Sequence, residues 1–237
     1  MKFEGPLLKG TLERRYKRFL ADVRLLSGER ITAHCPNTGS LLGCAEPGSQ
    51  VWLSHSSRPG RKYAHTWELV KVGNRVTVGI NTARSNQLVY EAIGAGVITQ
   101  FRDYKDIRRE VRYGEENSRV DFLLHDGAAN KACYLEVKNV TAAVDGGIAV
   151  FPDAVSARGT RHLRELVRVV NAGSRAAICF CVQRGDVDEV RPADDIDPLY
   201  GVALREAMAA GVEAIAYRAR VSPRAIALKD EIPVQCP

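Results

Sequence analysis

The pattern of apolar residues changes near residue 80, and that change limits the chain to two kinds of structure in series. Residues 7–15, 19–26, 30–35, 50–55 and 66–72 are short runs in which apolar and polar side chains alternate. Alternation is the period of a strand with one buried face. Ser27-Gly28, Asn37-Thr38-Gly39, Pro47-Gly48 and Pro59-Gly60 fall between the runs, where the chain must turn. Five short strands in about 70 residues predict a small all-β barrel of the oligonucleotide-binding (OB) type, with an SH3-like barrel fitting nearly as well.

Beyond that point strands and helices are mixed. Residues 78–81 read as a connector, and 82–92 as a helix capped by Asn81 or Thr82. Strand-like runs follow at 97–101, 107–113, 119–125 and 133–139. Residues 159–172 form a basic amphipathic helix with Leu163, Leu166, Val167 and Val170 on one face. The apolar run 176–183 has the length of a buried strand, 199–210 reads as a last helix and 214–221 as a last strand. The expectation is an α/β (α+β) chain with domains at 1–80 and 81–237, the second carrying a mixed sheet.

Charge follows the same division. Residues 1–80 hold 13 Lys and Arg against 6 Asp and Glu, a net of +7; residues 81–237 hold 21 against 22, a net of −1. A basic barrel joined to a near-neutral domain points to a polyanion as partner. No apolar run reaches the roughly 20 residues of a membrane span, and Met1–Pro6 lacks the apolar core of an export signal. The six cysteines form no CxxC pair and no disulfide framework, which makes buried, reduced thiols in a cytoplasm the expectation.

The chemistry concentrates in Asp121, Glu136 and Lys138. Asp126–Lys131 carries hairpin residues between the two strands that hold them. Residues two apart on a strand share a face, so Glu136 and Lys138 project together and a hairpin brings Asp121 beside them. Two carboxylates with a lysine suit a hard divalent cation, Mg2+ or Mn2+, and charge on a phosphate. The main-chain carbonyl of Val137 joins the candidate ligands, and Glu91 is expected to add a carboxylate from the preceding helix. On spacing alone, a solvated cross-strand pair is the commoner meaning of such a pattern. Arg14, Arg15, Lys17 and Arg18 flank Tyr16, the mixture of cations and aromatic that phosphates and bases need. Arg158, Arg161 and His162 form a second candidate DNA-binding stripe on the 159–172 helix and the turn before it. Asn37, Thr38 and Ser40, in a tight turn against the second domain, and Gln183, at a strand end, are expected near the same cleft.

The spacing of Asp121, Glu136 and Lys138 resembles the PD-(D/E)xK nuclease superfamily, with Val120 where the motif names proline. Five longer segments are similar to the sugar fermentation stimulation protein A family: Ala33–Leu41, Asn86–Glu91, Val120–Leu124, Tyr134–Thr141 and Phe151–Leu163. The resemblance runs from about Leu7 to about Ala219 and rests on these segments occurring in this order. It implies an OB-fold domain followed by a restriction-endonuclease-like α/β domain, with Asp121, Glu136, Lys138 and Glu91 as catalytic or metal residues. It also implies DNA binding with little sequence preference and a regulatory link to sugar (maltose) metabolism genes. The alternative is an active magnesium-dependent DNA nuclease. The location implied is cytoplasmic, with nucleoid association and a homodimer both compatible with the sequence.

Overall fold

A computed structural model describes residues 1–114, 118–125 and 132–237 of the chain. The first part is a barrel of β1 (Leu8–Tyr16), β2 (Leu20–Leu25), β3 (Arg30–His34), β4 (Gln50–His55) and β5 (His65–Val72), with β6 (Val76–Gly79) added beside β5. The strands are ordered β3-β2-β1-β4-β5-β6, and a β3–β5 pairing at His34 and Thr66 closes the five-stranded ring. This is the OB-like closure, and it excludes the SH3-like alternative. The five predicted runs became these five strands. Inward positions of each, among them Leu12, Val23, Ala33, Leu53 and Trp67, fill one core. The predicted connector at 78–81 is a correction: its first residues belong to β6, because Val78 and Ile80 are buried in the barrel core.

The second part is a three-layer α/β unit. It contains α1 (Ser85–Gly94), β7 (Asp106–Tyr113), β8 (Ser118–His125), β9 (Cys133–Val140), β10 (Ala143–Val144) and β11 (Ile148–Phe151). There follow α2 (Ala157–Asn171), β12 (Arg175–Val182), β13 (Glu189–Pro192), α3 (Pro198–Ala209), β14 (Glu213–Val221) and β15 (Ile226–Ile232). The main sheet is mixed, in the order β15-β14-β12-β9-β8-β7, with β12 parallel to both β9 and β14. Strand β12 is buried on both faces. Its Ala177, Cys179 and Cys181 face the α1 layer, and Ala176, Ile178, Phe180 and Val182 face α2 and α3. That is why it reads as an uninterrupted apolar run. A small sheet, β10-β11-β13, sits beside it. Residues 97–101 correct a second expectation. Val97 and Ile98 both donate to the Ala92 carbonyl, ending α1, and Thr99–Phe101 is a 3-10 turn that buries Ile98 and Phe101. Apolar residues three apart favour a turn of helix over a strand. The hairpin residues 126–131 lie outside the described residues.

The two parts are locked together. The Gly79 amide donates to the Gln183 carbonyl at 2.8 Å, and a Cβ on Gly79 would stand 2.3 Å from Gln183 Oε1. Buried Glu68 of the barrel accepts from Asn81 Nδ2 and from Arg84 on the far side of the junction. All six cysteines are free, five of them buried. Among the described residues, no helix is long and apolar enough to cross a membrane.

Candidate metal and nucleic-acid site

The site is made by a ladder that stops. Strands β8 and β9 pair from Leu124 and Cys133 to Phe122 and Leu135, and no further. At the next position Asp121 replaces the missing strand carbonyl: its Oδ2 accepts the Val137 amide at 2.7 Å. The other oxygen accepts from Asn86 Nδ2, at the start of α1, at 2.8 Å. Glu136 and Lys138, on the α2 face of β9, lie beside it, with Lys138 Nζ donating to Glu136 Oε1 at 2.8 Å. The three residues on which the sequence argument turned therefore converge.

Glu136 is 4% exposed. Its Oε1 takes both Lys138 and His162 Nδ1, a close contact from α2. Arg158 Nε donates to His162 Nε2 at 3.3 Å. Arginine is only a donor, so the ring proton is assigned to Nδ1 and is given to Glu136. Glu136 Oε2 is buried with no hydrogen-bond partner. A buried carboxylate oxygen without a donor is costly unless a cation meets it. Burial, then the Glu136 charge, raise the Asp121 carboxyl to about 6, against the donors from Val137 and Asn86. Burial acts upward on Glu136 too, but Lys138 and His162 outweigh it and hold that carboxyl below its ordinary value. Two crowded carboxylates, one with an orphaned oxygen, are the donor chemistry a hard divalent cation satisfies.

Glu91 does not join them. Its carboxylate receives the Met1 amino group at 2.5 Å and Gln87 Nε2 at 2.8 Å, away from the cleft. No third acidic, histidine or cysteine ligand completes a cluster among the described residues. The reason is helical phase: Asn86, five residues earlier, occupies the face turned to Asp121. His162 is likewise corrected. At 3% exposure it stands behind Glu136 and presents no surface to a phosphate.

Next to the acids, and lined by Lys138 and Asn86 rather than by the carboxylates themselves, is a cleft of about 440 Å³ walled by both parts of the chain. The barrel supplies Arg18, Asn37, Thr38 and Gly39; the second part supplies Ser85, Asn86, Lys138, Asn139, residues 150–156 and Arg158. Arg18 and Arg158 thus reach the cleft from opposite sides. Arg15 does not: it binds the carbonyls of Arg18, Asn37, Gly39 and Ser40 and holds the turn that forms the wall. Arg14 is paired with Asp22. Lys17 is exposed at the β1–β2 turn, and Arg161 is exposed on α2. Asn37 and Thr38 line the cleft as expected, but Ser40 does not, and Gln183 is a correction: it is fully buried behind the wall, donating to Asn139 Oδ1 at 2.5 Å.

Sequence reading missed Asn86, Asn139 and Asp153. Asp153 Oδ2 accepts the Leu41 amide at 2.9 Å, and a Cβ on Gly39 would lie 2.2 Å from its Oδ1. Pro152-Asp153 follows the Glu136 and Lys138 strand instead of preceding it, where the PD of the nuclease motif stands, and the Asp153 partner is 112 residues away. Asn86 had a readable signal, a polar side chain in the first turn of a helix preceding the acid strand. Asn139 directly follows Lys138, yet strand alternation turns it to the other face.

Comparisons with known proteins agree with this anatomy. Residues 14–80 match the family model described as the SfsA N-terminal OB domain, and residues 83–225 the one described as the sugar fermentation stimulation protein RE domain. A sugar fermentation stimulation protein homolog of Thioalkalivibrio sulfidiphilus is 61% identical over 229 residues, 97% of this chain and 95% of the relative. That of Alkalilimnicola ehrlichii is 59% identical over the full length of both chains. The structure of Pyrococcus furiosus SfsA, solved in complex with Ca2+, aligns with a TM-score of 0.87 at 27% identity, covering 99% of this chain and 98% of that one. The barrel, the split sheet and these matches together place the chain in the sugar fermentation stimulation protein family.

Proposed function

We propose that this chain binds DNA with little sequence preference and holds a divalent cation, Mg2+ or Mn2+, against a backbone phosphate in the cleft. The observation that carries the reading is Glu136 Oε2, buried and without a hydrogen-bond partner while Oε1 takes Lys138. Asp121, Glu136 and the Val137 carbonyl would hold the cation, which supplies Lewis acidity at a phosphoryl oxygen. That the Pyrococcus relative was solved in complex with Ca2+ supports the binding of a hard divalent cation. Arg18 and Arg158 bring positive charge to the two walls, where a phosphate chain would pass. The relatives' name concerns sugar fermentation, and the corresponding role here is a cytoplasmic DNA-binding regulator of sugar-metabolism genes.

A second reading, cleavage of the bound phosphodiester, is favoured by Lys138. Its ammonium, anchored on Glu136, is placed to orient an attacking water or stabilise charge on the phosphate. Purified protein is incubated with plasmid and single-stranded DNA in Mg2+, Mn2+ or EDTA, and binding is followed by anisotropy. Salt-dependent binding with a Mn2+-dependent thermal shift that Asp121→Ala abolishes is the expected result. Metal-dependent nicks lost in Lys138→Ala would establish cleavage. Absence of DNA binding and of any Mn2+ shift would overturn the proposal.

A further inference from the structure

A second basic depression, a groove of about 730 Å³, lies beside the cleft and has no part in the chemistry above. One wall is the N-terminal arm, residues 3–7; the other is the end of β4 with the β4–β5 loop. Arg58, Arg61 and Arg84 line it, with His55 and Phe3.

Elsewhere on the barrel Arg14, Arg24 and Arg30 are all neutralised, by Asp22 or Glu13. Arg84 is neutralised by Glu68. Exposed Arg58 and Arg61 have no carboxylate partner among the described residues; Arg61 donates only to the Thr66 hydroxyl. Lys62, next in the loop, adds a third exposed cation. A loop of unpaired cations bordering a concave surface attracts and retains a polyanion.

The groove adjoins the cleft across one short turn of chain. The 3-10 turn Thr82–Arg84 and Ser85 separate them, Thr82 and Ser85 lining the cleft and Arg84 the groove. Thr82 Oγ1 donates to the Pro36 carbonyl, joining the divider to the 37–40 wall of the cleft. Three residues of 3-10 helix rise only about 6 Å, so a nucleic-acid strand leaving the cleft meets the groove almost at once. The groove is bounded on both sides by single segments of chain, which suits one extended strand. The Phe3 and His55 rings also line it, Phe3 packed partly against the core with Arg84 over its ring and His55 tilted against His65.

We propose that this groove is a second phosphate-binding subsite that takes the continuation of a single DNA strand held in the cleft. The inference rests on the cleft being a DNA site. It is tested by the anisotropy of labelled oligo-dT of about 4 and about 16 nucleotides, the range over which grooves of this kind bind. Full-length wild type, Arg58→Ala/Arg61→Ala, Arg58→Glu and Lys138→Ala are compared in Ca2+, with melting curves to show that each variant is folded. Both loop variants are expected to weaken the long oligomer about 10-fold and leave the short one unchanged. The double variant is expected to reduce the log–log salt slope by about 1.4, two phosphate contacts at roughly 0.7 each. Lys138→Ala weakens both lengths. Unchanged binding of the long oligomer by folded loop variants, with Lys138→Ala weakened, overturns the groove and leaves the cleft standing. Equal losses at both lengths, or a loss confined to duplex DNA, also overturn it. If wild type binds neither length, the cleft reading falls and the groove with it.

Discussion

Asp121 and Glu136 share a crevice but not an electrostatic environment. Lys138 and His162 compensate Glu136, while for Asp121 the Val137 and Asn86 donors and the Lys138 charge do not offset burial and its neighbour's charge. Its folded value of about 6 lies above the roughly 3.9 of an unfolded chain. Between those values the metal-free folded state holds a proton that the unfolded state has released. Stability therefore falls as pH rises through that window, and rises as pH falls from about 6 to about 4.5, by about 1.5 kcal/mol. Glu136, held low, works in the opposite sense and is lost only in more acid solution. Urea unfolding in EDTA should show this slope in wild type and little of it in Asp121→Asn; an equal slope in both would refute the assignment. His162 acts through Glu136 by fixing one oxygen and leaving the other free. His162→Ala is expected to lower Mn2+ affinity about 10- to 100-fold, the usual effect of losing a hydrogen bond behind a ligand. Calorimetric titration reads that loss, and wild-type affinity would argue that the histidine is only filler.

Helix α2 carries His162 and Arg158, so its starting point sets the site. Ser156 caps it, accepting the Gly159 amide at 3.0 Å. Asp197 accepts the Ser156 amide through Oδ2 at 2.7 Å and caps α3 through Oδ1, which takes the Tyr200 amide. One buried carboxylate thus fixes the first turns of two helices. Asp197→Ala should destabilise by about 2 kcal/mol, the upper range for a lost cap, because two amides lose their acceptor. Chemical denaturation measures it; a change no greater than that of Ser156→Ala would show that the shared contact adds nothing. The prediction of α2 from its apolar spacing was good to two residues at its start, since Leu163 and Leu166 do face the sheet. Residues 97–101 went wrong because short apolar runs fit strand and helix alike, and bonds back to Ala92 settled the matter. Strand β15 escaped notice because its Lys229, Asp230 and Glu231 are exposed in succession and break the alternation.

Across the whole molecule, the cleft exists only while barrel and α/β unit keep their relative placement. Asp153 and the 37–41 turn form one of the clasps, a charged acceptor on the Leu41 amide with Gly39 pressed against the carboxylate. Asp153→Ala is expected to cost about 2 kcal/mol, the order of a charge-assisted hydrogen bond. It should also weaken DNA binding while leaving Mn2+ affinity unchanged, because the proposed ligands Asp121, Glu136 and Val137 all belong to the α/β unit. Parallel urea, anisotropy and calorimetric measurements separate these effects; loss of Mn2+ affinity would place Asp153 within the metal site instead.

Sequence by itself determined the five barrel strands, the mixed α/β unit and the convergence of Asp121, Glu136 and Lys138. Each rests on a short-range rule: alternation along a strand, apolar spacing along a helix, or two neighbouring strands joined by a turn. Tertiary structure alone decided that Asn86 rather than Glu91 meets Asp121, that His162 stands behind Glu136, and that Asp153 closes the cleft from 112 residues away. Those contacts depend on helical phase and on the docking of separately formed surfaces. No local period in the chain encodes them, because the geometry that selects each partner arises only once both surfaces are in place.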